Sequence, residues 1–158
     1  MKRLLPVTMM SCLAFLATCN NATAMKIELR EGVPIVDGVS VNGHGPYRFL
    51  LDTGASNTVL SAAVADSLGI PKGRVYTLSS AGGNVAATVR TLAALTVGSG
   101  HLQNVDVAVA NFDLMKTMKV DGVLGGDYLR KFKVSIDYDN QVVEIEPCCP
   151  ETMSRLYA

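Results

Sequence analysis

An all-β fold with one or two short helices is what this sequence predicts. Short β-branched and apolar segments recur along the chain, and Gly, Asn and Asp turn signals separate them. Two stretches carry the start and stop signals of a short helix. With no repeat and no linker, the strands belong to one domain that closes as a barrel.

The elements follow in order. β-branched runs at 33–36 and 39–41 are split by Asp37-Gly38, a favoured hairpin turn. A second turn at 42–45 leads into a strand over 47–51 that becomes wholly apolar at Phe49-Leu50-Leu51. Val59-Leu60 resumes after a small-residue loop. Ser61 is placed to cap a helix running to Leu68, and Gly69 and Pro71 stop it. Strands over 74–78 and 85–92 flank the small, flexible stretch 79–84. Residues 95–97 and 105–110 are two further strands around Gly98-Ser99-Gly100. The stretch 111–119 fits neither period cleanly, and Met115 and Met118 in it read as core or interface fillers. Val123-Leu124-Gly125-Gly126 precedes a short helix over 127–131. Strands over 133–137 and 141–146 alternate polar and apolar residues and join at Asp139-Asn140. Residues 148–158 form a tail.

The N-terminal stretch 1–24 reads differently. Lys2 and Arg3 precede a mostly apolar run from Leu4 to Cys19. Ala22 and Ala24 are small residues where a signal peptidase reads them, so 1–24 is a secretory signal peptide. The run falls short of the roughly 20 residues a membrane span needs. Leu16-Ala17-Thr18-Cys19 is similar to a lipoprotein box, with Thr18 as a departure. A lipid anchor at Cys19 is therefore the alternative to cleavage after Ala24. An exported protein, periplasmic or secreted, is expected, with a domain over 25–147.

Cleavage after Ala24 removes Lys2 and Arg3 and no acidic residue, which takes the net charge from zero to −2. No basic cluster exceeds two residues in the remaining body, which argues against nucleic acid as a partner. Cys148 and Cys149 are the cysteines that remain, with no zinc spacing. An intermolecular disulfide is one reading of that adjacent pair.

Asp52 is the focal residue. A carboxylate at the end of Phe49-Leu50-Leu51 is costly unless hydrogen-bonded or paired. Gly54, Ala55 and Ser56 let the backbone come close around it. The stretch from Val41 to Ser61, VNGHGPYRFLLDTGASNTVLS, resembles the retropepsin-like aspartic proteases, in particular bacterial periplasmic members. The segment 121–129, DGVLGGDYL, is similar to the family's element of two hydrophobic residues followed by Gly, here Gly125. The spacing from Asp52 to Gly125 suits a slightly enlarged retropepsin. The resemblance implies an acid-protease barrel with one lobe per chain. It implies Asp52 as catalytic, with Thr53, Gly54, Ala55, Ser56 and Gly125 as loop support. Ser80, Ala81, Gly82 and Gly83 fall where the family has its flap and would touch substrate.

Two aspartates sharing a site cannot both ionise, so such a pair holds one proton. The ionised member takes a proton from water and the other donates to the peptide carbonyl. The resemblance implies no metal, no cofactor and a peptide or protein substrate. One Asp-Thr-Gly occurs in the chain, so activity implies a homodimer with one Asp52 from each subunit. Thr53 would then place its hydroxyl, buried, across the two-fold axis. Ala55 has no hydroxyl to offer the aspartate, which implies activity at weakly acidic to neutral pH. A catalytically silent peptide-binding or scaffolding domain is the alternative function. Arg48, Lys72 and Asp127 are either dimer-bracing charges or plain surface charges. His44 and His101 read as exposed loop residues, and Asp113 and Asp121 as turn or cap residues.

Overall fold

The computed structural model describes residues 23–148 apart from 81 and 82. Almost all of the 1–24 stretch read as a signal peptide, with Cys19, the tail beyond Cys148, and the flap candidates Ala81 and Gly82 therefore lie outside the described residues, and so does the side chain of Ser80.

The chain runs β1 (Met25–Arg30), β2 (Val33–Val41), β3 (His44–Leu51), β4 (Val59–Leu60), α1 (Ala62–Ser67), β5 (Val75–Ser80), β6 (Gly83–Val97), β7 (Gly100–Val109), α2 (Asp113–Met118), β8 (Gly122–Leu124), α3 (Gly126–Leu129), β9 (Phe132–Asp137) and β10 (Val142–Pro147). The strands form one sheet in the order β5-β6-β7-β4-β8-β3-β2-β1-β10-β9. β2 also pairs back onto β6 at Ser40–Thr96 and Val41–Leu95. The strands from β6 round to β2 thus close on themselves as the all-β barrel the sequence predicts.

Period-two alternation sorts the side chains into two buried clusters. Phe49, Leu51, Leu60, Val109 and Leu124 enter the larger one. Their neighbours Leu50, Val59, Ala108 and Val123 enter the smaller. Three short helices appear among the described residues. Ser61 caps α1, its hydroxyl accepting from the Val64 N–H at 3.3 Å.

Several local expectations need correction. Asp37-Gly38 is no hairpin turn. It is a bulge inside β2, where the register to β3 shifts between Val36 and Val39. The extra residue changes the phase, so Val36, Val39 and Val41 all enter the larger cluster. The segments 85–92 and 95–97 are one strand, β6, because its ladder with β7 continues from Thr88–Val109 to Val97–Gly100. The flexible stretch 79–84 is mostly strand, with Ser79–Asn84 and Ser80–Gly83 paired. The unassigned 111–119 holds α2, whose Met115 and Met118 are buried. His44 and His101 are exposed as expected but lie in β3 and β7. The His101 ring meets the Thr96 hydroxyl at 2.8 Å.

Candidate active site

The Asp52 loop owes its shape to strand order. β3 and β4 are joined by the loop 52–58, yet they do not pair. β8 lies between them, parallel to β3 (Leu50–Val123, Leu51–Leu124) and antiparallel to β4 (Val59–Val123, Leu60–Gly122). The loop must arch over the end of β8, and the chain leaving β8 passes beneath the arch. Apolar β3 ends buried at Leu51, and Asp52 is the first half-buried residue beyond it.

The backbone then wraps the carboxylate. The Asp52 N–H donates to the Leu124 carbonyl at 3.1 Å, one step beyond the β3–β8 ladder. The Gly54 and Ala55 N–H groups donate to Asp52 Oδ1 at 2.9 and 3.2 Å. Two amide donors on one carboxylate oxygen fix its orientation. Thr53, Gly54 and Ser56 are exposed in the single chain. The buried Thr53 hydroxyl of the sequence reading is therefore not found within one subunit.

Gly125 supports this arch from below. Its N–H donates to the Thr58 hydroxyl oxygen at 3.1 Å. The Gly126 N–H reaches the Ala55 carbonyl at 2.8 Å, and the Asp127 N–H reaches the Ser56 carbonyl at 3.1 Å. A Cβ on Gly125 would sit 2.4 Å from the Asn57 carbonyl carbon and oxygen. No other residue lets the two backbones approach so closely.

Thr58 and Asp127 lock the arrangement. The Thr58 N–H donates to both Asp127 carboxylate oxygens at 2.8 and 2.9 Å, and its hydroxyl donates to Oδ1 at 2.6 Å. Thr58 is 1% exposed, so this polar cluster is sealed from water on its side. Sequence reasoning passed over Thr58. Its signal was a polar side chain directly before the apolar pair Val59-Leu60. Asp127, read as a surface or dimer-bracing charge, is engaged inside the subunit.

Arg48 and Asp121 are also engaged within the chain. Arg48 pairs with Asp37 at 2.6 Å and with Glu28, which Arg30 also holds. Asp37 beside it pushes the Arg48 guanidinium pKa up, and Arg30, then Arg48, hold the Glu28 carboxyl below its usual value. The Arg48 N–H donates to Asp121 Oδ2 at 2.9 Å, so Asp121 fastens β3 to the start of β8. Asp113 lies in the first turn of α2.

The β5–β6 hairpin lies close to this assembly. Tyr76 on β5 packs with Ala55, Leu78, Val85 and Phe112 against the smaller core cluster. Burial, with the Asp127 charge added, raises its phenol pKa. Ser80 ends β5 and Gly83 opens β6, so two of the four flap candidates stand at the hairpin end. β5 and the Asp52 loop thus pack against the same core cluster through Tyr76 and Ala55.

A single-lobed β-barrel with an Asp-Thr-Gly loop arched over a buried strand defines a retropepsin-like protein. The sequence profile of the aspartyl protease family matches residues 38–128, and the chain belongs to that family. Among solved structures it is similar to a retropepsin-like aspartic protease from Rickettsia conorii, at 26% identity and a TM-score of 0.57. That match covers 80% of this chain and 91% of the other. It is also similar to the EIAV protease complexed with the inhibitor HBY-793, at 28% identity over 62% of this chain and 84% of the other, with a TM-score of 0.45. No curated protein matches the sequence.

Proposed function

We propose that the chain is an exported aspartic endopeptidase whose active form is a homodimer, with Asp52 of each subunit forming the catalytic pair. The observation that carries this reading is the Asp52 carboxylate, pinned through Oδ1 by two backbone amides on a loop whose Thr53 and Gly54 face outward. One carboxylate in such a loop is half of an acid–base pair, and a second copy supplies the other half.

In the dimer one Asp52 is ionised and accepts a proton from a bound water, which attacks the peptide carbonyl carbon. The protonated Asp52 donates to the carbonyl oxygen. Collapse of the tetrahedral intermediate then breaks the C–N bond, as a proton passes to the leaving amine. The Gly54 and Ala55 amides keep both carboxylates in place through these transfers, and the chain beneath the 52–58 arch holds that loop from below. Thr53 lies at the contact between the subunits. The hairpin with Ser80, Ala81, Gly82 and Gly83 covers an extended peptide, which binds by its backbone. Export is supported by the leader-like 1–24 stretch of the sequence.

A peptide-library digestion with wild type and Asp52→Asn, run beside sedimentation of both, tests the reading. Cleavage by a dimeric wild type and its loss in a dimeric Asp52→Asn is the expected outcome. A wild type that stays monomeric at all concentrations, or an Asp52→Asn variant that cuts at the wild-type rate, would falsify it.

A further inference from the structure

The sheet has two ends, β5 of the hairpin and β9. β9 pairs with β10 along its whole length, from Asp137–Val142 to Phe132–Pro147. β10 is closed on its other side by β1, and β1 lies between β10 and β2. The second edge of β9 has no strand beside it among the described residues. Such an edge is a template for another strand.

This edge starts next to the support of the Asp52 arch. The first residue of α3, Gly126, gives its N–H to the Ala55 carbonyl at 2.8 Å. Arg130 and Lys131 then separate α3 from Phe132, the first residue of β9. The Tyr128 and Phe132 rings lie 4.9 Å apart. A short helix thus joins the arch to the edge.

The residues of β9 complement a second copy of themselves. Phe132, Val134 and Ile136 pack on the larger core cluster and stay half-buried. Lys133, Ser135 and Asp137 are exposed on the opposite face. Tyr138, one residue past the strand, is 52% exposed although it is a large hydrophobic side chain. An antiparallel copy on a two-fold axis through Ser135 answers each of these. Val134 then lies opposite the partner's Ile136, and Phe132 opposite the partner's Tyr138. Lys133 lies opposite the partner's Asp137. Apolar, aromatic and opposite-charge pairs across two strands all favour pairing. Lys133 also meets Glu146 at 2.8 Å, and an ammonium with three donors can hold both carboxylates. β5, at the other end of the sheet, carries no charged residue and offers no such match.

We infer that β9 is the surface through which two copies of this chain join, on the two-fold axis that pairs their Asp52 loops. β1, β10 and β9 of each subunit then form one continuous antiparallel sheet. This rests on the homodimer reading and gives that dimer its surface.

Ser135 faces its own copy across the axis, so one position tests the register. Ser135→Glu and Ser135→Lys each bring like charges together there, and a mixture of the two brings opposite charges. Sedimentation and peptide cleavage are measured on the unaltered full chain, on each variant alone and on the equimolar mixture. The dissociation constant of the dimer should rise at least about tenfold in either variant alone. Dimer and cleavage should both return in the mixture. Dimers of unaltered strength in both variants would overturn the β9 surface and leave the Asp52 pairing standing. Dimers that return in the mixture without cleavage would overturn the shared axis. An unaltered chain that never dimerises would remove the homodimer reading and this surface with it. Ser135 is exposed and sits across from Glu144 on β10, so Ser135→Lys gains a partner within its own subunit. Circular dichroism verifies the fold of both variants.

Discussion

Around Asp52 the main chain is fixed from three directions, whereas β5 of the nearby hairpin is hydrogen-bonded along one edge, to β6. The Asp52 loop receives bonds from β8, from the start of α3 and from its own amides. β5 ends the sheet order, and its exposed Val75 is a large hydrophobic residue turned to solvent. The difference separates two tasks. A carboxylate that must meet an identical partner needs an over-determined position, and a cover that admits an extended peptide must open. Main-chain hydrogen bonds are concentrated where chemistry is proposed, and β5 pairs along one edge.

The strongest way to break the contrast is at the carboxylate itself. Asp52→Asn keeps the shape and one acceptor for the Gly54 and Ala55 amides, so the fold should persist. Peptide cleavage should fall by about 10³-fold or more, since the pair loses its ionised base. Rates on a quenched peptide, with circular dichroism as the fold check, measure this. A fall smaller than about tenfold would remove Asp52 from the chemistry.

Two further substitutions probe the arch. Gly125→Ala drives a Cβ to 2.4 Å from Asn57 backbone atoms, which cannot rotate away. Destabilisation of about 3 kcal/mol is expected from overpacking against main chain. Thr58→Val leaves the Asp127 carboxylate without its hydroxyl donor and the Gly125 N–H without its acceptor, at a cost of about 1–3 kcal/mol. Urea unfolding reads both. If either variant unfolds at the wild-type midpoint, the arch is not fixed from below.

The sequence carried much of this region and little of the hairpin, for physical reasons. Phe49-Leu50-Leu51 followed by Asp52-Thr53-Gly54 is local chemistry, legible because a carboxylate after an apolar strand needs close donors. The Val123-Leu124-Gly125 element was legible through its resemblance to the family's element of two hydrophobic residues followed by Gly. The Thr58–Asp127 cluster was not, since it joins residues far apart in the chain and depends on β8 passing between β3 and β4. The Asp37-Gly38 pair failed differently. Its local signal fits a hairpin, but closure of β2 onto both β3 and β6 makes it a bulge. β6 was split at Ala93-Ala94, whose residue type is a poor strand former, while pairing with β7 continues on both sides of that pair.

Substitutions on the hairpin should cost less. Gly83 has φ of +108°, yet a Cβ there would meet nothing within 4 Å. Gly83→Ala therefore adds backbone strain without a clash, about 1–2 kcal/mol. It should change the substrate KM more than the unfolding midpoint, in contrast to Gly125→Ala. Equal losses of stability at the two glycines would erase the distinction between a fixed loop and a movable cover.

The smallest expected effect lies at the hairpin root, and its size is set by pH. Arg90, on β6, holds the Asp66 carboxyl below its ordinary value through their ion pair, and Lys72 adds to the shift. A carboxylate whose folded pKa is lowered stabilises the fold above its unfolded pKa. That contribution fades as pH falls through the folded value. Asp66 is 55% exposed, so water screens the pair and the effect is modest. Asp66→Asn keeps an acceptor for Arg90 and removes the charge. Its melting temperature should lie slightly below wild type at neutral pH, and the two should converge on the acid side of the carboxylate range. A gap between Asp66→Asn and wild type that stays constant with pH would mean that the pair acts through shape alone.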